Sequence, residues 1–269
     1  MYRVAILTSD SIRHKYFFSK FLKAKNIEVI KCFSEQTKSS KSYEYLDLNN
    51  ISRIHFNERT RVEFDFFNEY VHENFENDRW IEIPKGFINT ESFGNDLASI
   101  NPDFIVCYGC SIVSDFIIDK FEKNKILNIH LGLSPYYLGS GTNFIPLVEN
   151  KPELVGYTLM FIDEGIDTGD IIHQGRPTIN VFDNSHHVGC KVIREMADAY
   201  IKLIENFDKV TAKDQPCFDN AKVCYRRDCT AKSIRKMYAN ISNGMFLDYL
   251  KKQNIRNSRY QIIQQENIF

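Results

Sequence analysis

The chain opens with Arg3 to Leu7 (RVAIL), a short β-rich apolar run. The polar turn TSDS follows, and then IRHKYFFSKFLKAK with helical spacing. This order of strand, turn and helix narrows the available folds more than any other feature. A run that is apolar at successive positions is buried on both faces, as in a parallel sheet, and parallel strands need helical crossovers between them. The pattern recurs. Ile27–Cys32 (IEVIKC) reads as a second strand, and residues from about 60 to 79 carry charged helical spacing. Asp103–Tyr108 follows the turn at Asn101-Pro102 as a buried strand. Ile112–Phe121 reads as a helix and Ile126–His130 as another strand. Gly156–Ile162 alternates like a strand, ends in DEGIDTGD, and Ile171–Gln174 continues extended. Val188, Val192, Met196, Tyr200 and Ile204 then recur about one turn apart, on a helix that Asp183 or Ser185 can cap. The expected class is α/β: a Rossmann-like, mainly parallel sheet with helices on both faces.

After Phe207 the pattern weakens to a strand at VCYRRDCT and a helix from about 231 to 252. The expected division is a main domain over 1–207 and a small extension over 208–269. The extension holds 12 Lys plus Arg against 6 Asp plus Glu, although the whole chain has a formal net charge of -1. Such a tail fits either a phosphate-bearing partner or a solvated helical face. No apolar run approaches the roughly 20 residues that span a bilayer. The start MYRVAILTSD places charge and a turn too early for a signal peptide, so a cytoplasmic protein with no membrane partner is expected. Seven Cys, an odd number, read as reduced core thiols. Cys107 and Cys110 form a C-x-x-C without a second pair at zinc spacing, and Cys224 and Cys229 lie too far apart for a knuckle. No metal is expected. SEQTKSSKS reads as a mobile polar loop, and His186-His187 as the surface start of a helix.

The chemistry concentrates at NIHLGLSPYYLGSGTN, which starts at Asn128. Ligands of a parallel sheet bind outside the carboxyl ends of its strands. Asn128 and His130 stand at such an end and, two residues apart, point to the same side. The loop Asp163–Asp170 ends another strand and brings carboxylates. An Asn that donates, a His that handles a proton and an Asp that orients the His suit a reaction through a tetrahedral oxyanion. No G-x-S-x-G elbow supplies a nucleophile, which favours direct transfer. A capped strand end with a satisfied core His is the competing reading for N-x-H alone.

NIHLGLSPYYLGSGTN followed by GYTLMFIDEGIDTGDII resembles the 10-formyltetrahydrofolate-dependent formyltransferases, from about Asn101 to Ile172. That family includes enzymes acting on methionyl-tRNA, glycinamide ribonucleotide and amino sugars. The resemblance implies that Asn128, His130 and Asp167 are catalytic. It also implies a pterin pocket lined by backbone of Cys107, Tyr108, Gly109, Asp163, Glu164, Gly165 and Ile166, with 10-formyltetrahydrofolate as co-substrate. GLSP stands where many members have SLLP, outside the three catalytic positions.

The resemblance leaves the accepting amine open. The turn TSDSIRHKYF lacks the Gly-rich phosphate turn usual in glycinamide ribonucleotide enzymes. About sixty residues after Phe207 read as a strand and helices, not as the basic barrel of methionyl-tRNA enzymes. A nucleotide-linked amino sugar, such as a dTDP-linked 3- or 4-amino-dideoxyhexose for polysaccharide biosynthesis, is therefore the expected partner, with folate and without nucleic acid. A homodimer is compatible with such an enzyme. The alternatives are a methionyl-tRNA-type formyltransferase and a formyltetrahydrofolate hydrolase. Arg13 and Lys15 fit either a diphosphate contact or surface charge. Tyr136 and Tyr137 fit stacking on a sugar or base, or loop packing. Asn143 fits a bond to a sugar hydroxyl or a brace within its loop. The cluster Tyr225–Asp228 reads as internally paired.

Overall fold

The computed structural model describes residues 1–36, 50–72, 78–122, 124–216 and 218–269. Strands β1 (Tyr2–Ser9), β2 (Ile27–Glu35), β3 (Trp80–Ile83), β4 (Phe104–Cys107), β5 (Ile126–His130), β7 (Tyr157–Phe161) and β8 (Ile171–Gly175) form one sheet. Its order is β3-β2-β1-β4-β5-β7-β8. The first five strands pair in parallel, and β7 and β8 add antiparallel to β5. The mainly parallel α/β expectation is met.

Alternation along β1 divides the core. Val4 and Ile6 join the cluster that holds Phe17 and Phe21 of α1 (Ile12–Leu22) and Met196 and Tyr200 of α6 (Ser185–Glu205). Ala5 and Leu7 join Phe93 and Leu97 of α3 (Glu91–Ser99) and Ile117 of α4 (Asp115–Ile118) on the other face. Each fully buried side chain of this size stabilises the fold by about 1.5–3 kcal/mol relative to its exposed form.

Several boundaries differ from the sequence expectations. Helix α2 runs over Asn50–His72, starting earlier than 60, and residues 73–77 lie outside the described ones. The helix expected over 112–121 shrinks to α4. The segment before it is held straight by other partners: the Glu35 carboxylate accepts from Ser111 N, and the Asn89 side chain bonds Ile112 O and Ser114 N. Of SEQTKSSKS, Ser34 and Glu35 belong to β2, and residues 37–42 lie outside the described ones. The helix expected over 231–252 is α7 (Ala231–Ser242) and α8 (Met245–Lys251), parted by Gly244 at φ 85, where a left-handed residue ends a helix.

The tail packs on the body. β9 (Lys222–Cys224) pairs with β6 (Tyr137–Gly139), and α7 packs on α5 (Ile145–Val148) and α2. Arg256, in α9 (Gln253–Asn257), pairs with the buried Glu153. The Gln265 side chain bonds Ile172 O, Thr211 O and Thr211 N.

Neither Asp183 nor Ser185 caps α6. Asn184 does: its side chain accepts from His186 N and His187 N, each at 2.9 Å, while His187 Nδ1 accepts from Asn184 N at 3.2 Å. The returning partner is a His where a capping box ordinarily has Glu or Gln. Asp183 instead binds Lys191 and Asn180 N. Replacing Asn184 with Ala is expected to cost about 1 kcal/mol of stability, read as a lower urea midpoint at unchanged slope.

Candidate active site

A cleft of about 730 Å³ lies outside the carboxyl ends of β1, β4 and β5. Its size suits a small-molecule site. Gly109 lets the chain turn into it after β4, at φ 70. A Cβ there would stand 2.5 Å from His14 Nε2, so only glycine fits.

At the centre is Asp167, itself at φ 57, a left-handed conformation that Asp tolerates better than most residues. Its carboxylate accepts from three groups on two strands, β5 and β6. Asn128 Nδ2 stands 3.2 Å from Oδ1. His130 Nδ1 and Gly139 N stand 3.1 and 2.9 Å from Oδ2. Burial pushes this carboxyl up, but the His130 ring, the Gly139 N–H and the Asn128 amide together hold it below its ordinary value. It is therefore an acceptor at neutral pH. Gln215 Nε2 donates to Asp167 O at 2.7 Å and Gly169 O at 2.9 Å, pinning the loop by its backbone.

His130 is buried, and its Nε2 lies 2.9 Å from Tyr137 O. Both of its ring nitrogens thus face oxygens that only accept.

The structure brings together the three positions expected to be catalytic. It also places Cys107, Tyr108, Gly109, Asp163, Glu164, Gly165 and Ile166 on the cleft wall. Tyr108 sends its ring into the core against Phe17 and contributes backbone. Asp163 organises its own loop by accepting from Gly165 N and Thr168 Oγ1.

The residues expected at the acceptor divide. Arg13 lines the cleft and pairs with Glu63; Lys15 does not line it, because two residues on a helix turn the side chain about 200° away. Tyr136 and Tyr137 are absent from the wall, which corrects the stacking expectation. The Tyr137 hydroxyl donates to Glu149 at 2.7 Å and Tyr136 to Gln261 O at 2.8 Å, so loop packing takes both. Asn143 lines the cleft, and its side chain braces the loop by bonding Gly156 N and O. In the Tyr225–Asp228 cluster the Asp228 carboxylate accepts from Tyr225 N.

The sequence reading missed His55, Arg59, Glu63 and His186 on this wall. His186 was expected at the surface and is buried. The capping turn folds it back toward α2, with its ring 4.5 Å from His55. His55 Nδ1 lies 3.1 Å from the Tyr238 hydroxyl, which lies 3.4 Å from His186 Nε2. The spacing of His55, Arg59 and Glu63, four residues each, was the available signal.

Residues 69–204, half of the chain, match the family model Formyl transferase. The chain belongs to that family. Among curated relatives, the methionyl-tRNA formyltransferase of Finegoldia magna is 32% identical over 124 residues, covering 45% of this chain and 39% of the relative. That of Thermodesulfovibrio yellowstonii is 33% identical over 129 residues, 46% of this chain and 41% of the relative. The chain thus spans about two fifths of the length of these relatives. A 4-N formyltransferase from Francisella tularensis has a similar fold at TM-score 0.58 and 19% identity, covering 89% of this chain and 87% of that one. So does an N-formyltransferase from Helicobacter canadensis, in complex with folinic acid and dTDP-3-aminofucose, at TM-score 0.55 and 18% identity, covering 88% and 79%.

Burial, and then the charge of neighbouring groups, lowers His55 to about 3 and His186 to about 4 from the ordinary 6.5. Between those values the unfolded chain binds protons that the native state does not, so stability falls as pH drops below about 6.5. For His186 the fall ends near 4, with a slope of up to about 1.4 kcal/mol per pH unit. His186→Asn should flatten urea-midpoint profiles over that window. Equal slopes in the two proteins would mean that His186 protonates within the fold.

Proposed function

We propose that the chain transfers the formyl group of 10-formyltetrahydrofolate directly to the amine of a nucleotide-linked amino sugar. The observation that carries the transfer chemistry is the Asp167 carboxylate, which gathers Asn128 and His130 at one end of a cleft large enough for both reactants. The wall by Gly109–Val113 and Asp163–Ile166 fits a flat ring system. It offers loop backbone for amide-type hydrogen bonds, and Ile112 and Ile166 are exposed apolar side chains on it. The co-substrate supplies an activated formyl group.

The roles follow from the geometry. Asn128 donates to the formyl oxygen as negative charge develops there. His130, its Nδ1 held by Asp167, takes the proton the amine loses when its nitrogen bonds to the formyl carbon, and as the cation so formed it supports the developing charge. Asp167 fixes the ring's orientation and stabilises its positive charge. The transfer ends as the bond from the formyl carbon to N10 breaks and N10 takes a proton. Residues 1–207 carry this site, and 208–269 support it through Gln215 and Tyr238.

For the acceptor, amino-sugar chemistry is supported by structural neighbours that align over most of their length, the Helicobacter canadensis complex with dTDP-3-aminofucose among them. A methionyl-tRNA acceptor has the higher sequence identities on its side, over two fifths of those relatives. Tetrahydrofolate release from 10-formyltetrahydrofolate, with nucleotide-linked amino sugars, charged initiator tRNA or water alone, separates the readings. Turnover with an amino sugar is expected. Turnover with tRNA alone, or with water alone, would overturn the sugar acceptor. His130→Asn and Asp167→Asn should each lower kcat by about 10²–10⁴, with circular dichroism unchanged.

A further inference from the structure

The strand β6 lies outside the main sheet. It is three residues long, and among the described residues it pairs with β9 alone, in parallel. In such a strand the N–H and C=O of one residue point to one edge, and those of the next residue point to the other. Along β6 and the residues that flank it, both edges are used. On one edge, Tyr136 O accepts from Lys222 N at 3.0 Å, and Ser140 N donates to Cys224 O at 2.8 Å. On the other edge, Tyr137 O faces His130 Nε2 at 2.9 Å, and Gly139 N donates to Asp167 Oδ2 at 2.9 Å. That same Asp167 oxygen meets His130 Nδ1. Backbone groups of one short strand therefore touch both members of the His130–Asp167 pair, and the tail holds the strand from behind.

A three-residue strand has no stability of its own, and a two-stranded ribbon is marginal in water. Side chains clamp this one. Tyr137 and Cys224 are buried in one apolar cluster with Leu133, Ile145 and Leu154. Glu149 ties the two strands from the side: it accepts from the Tyr137 hydroxyl and pairs with Lys222 of β9. Burial opposes ionisation of Glu149, but Lys222 and the Tyr137 hydroxyl hold it down at about 2, so it is a carboxylate at neutral pH. The ring of Tyr136 packs on two tail rings, Phe218 at 4.9 Å and Tyr260 at 5.3 Å. β9 lies past residue 204, where the match to the family model ends.

We propose that β9 is a positioning strand for the transfer reaction: by pairing with β6 it sets where Tyr137 O and Gly139 N stand, and so fixes the His130 ring and the Asp167 carboxylate. Lys222, through its backbone N–H, is the positioning residue. It does not line the cleft and acts only through β6. The proposal rests on the reading that His130 and Asp167 carry the transfer, and it adds what holds them in place. Proton transfer depends on the placement of the group that takes the proton, and a misplacement of about 1 Å can cost about 100-fold in rate.

The test uses three variants of the full chain and two readouts. Lys222→Pro removes the N–H that Tyr136 O accepts. Val223→Gly loosens the same strand at an exposed side chain and keeps its backbone groups. Thr230→Ala, which removes the cap of α7 elsewhere in the tail, is the control for lost stability. In Lys222→Pro, kcat is expected to fall at least about 10-fold, with both KM values within about 2-fold of wild type. Val223→Gly should show a smaller fall in the same direction. Thr230→Ala should keep the wild-type kcat although its unfolding temperature drops. The second readout needs no turnover. The ¹⁵N resonances of the His130 ring, identified by their loss in His130→Asn, should move in both β9 variants and stay in place in Thr230→Ala. Wild-type kcat or unmoved His130 resonances in folded Lys222→Pro would overturn the proposal, and so would an equal loss of kcat in Thr230→Ala. Should Lys222→Pro not fold, the same outcomes in Val223→Gly decide. If wild type passes formyl to no acceptor, the resonances decide alone: their movement keeps the hold of β9 on His130 and overturns only the transfer reading.

Discussion

A buried carboxylate must be paired, and the Asp167 carboxylate is the charge around which the site is assembled. Asn128 and His130 of β5, Gly139 of β6 and the Asp163–Asp170 loop converge on it. Its backbone sits in a sparsely populated conformation that Gln215 holds from outside the loop. Strain of this kind persists only where the surroundings over-determine it. Here they do, because β5, β6 and Gln215 of the tail all hold Asp167 or its loop.

The sheet explains why those parts meet. β5 is the strand at which parallel pairing gives way to antiparallel pairing, so its carboxyl end is flanked on one side by the β4 exit and on the other by β7. The β4 exit supplies Cys107–Gly109. α1, which follows β1, supplies Arg13 and His14. A cleft at the carboxyl ends of β1, β4 and β5 follows from strand order and needs no special loop.

The second wall has a different origin. It comes from α2 and the start of α6, and α7 crosses from the tail behind them to bring Tyr238 between His55 and His186. The tail therefore supports the cleft from behind, tied by β9 on β6, by Arg256 on Glu153 and by Gln265 on β8. Its surplus of basic residues includes Arg256, which is spent on internal ion pairs.

The sequence by itself determined the α/β class, the strand run into NIH and the association of Asn128, His130 and Asp167. The first two follow from local periodicity, and the third from the resemblance of two separate short motifs to the formyltransferases. It did not reveal the Asn184 cap, because His187 stands where Glu or Gln would signal it. It misjudged Tyr136 and Tyr137, since residue type in a loop does not say whether a ring faces a ligand or Glu149 and Gln261. It had no means to join His55 to His186 and Tyr238, which lie far apart in the chain and meet only when α2, α6 and α7 pack. Periodicity is a property of neighbours along the chain. Which face of one helix meets which face of another is decided by burial of the whole core, so the catalytic end was legible in the sequence and the opposite wall was set by tertiary packing.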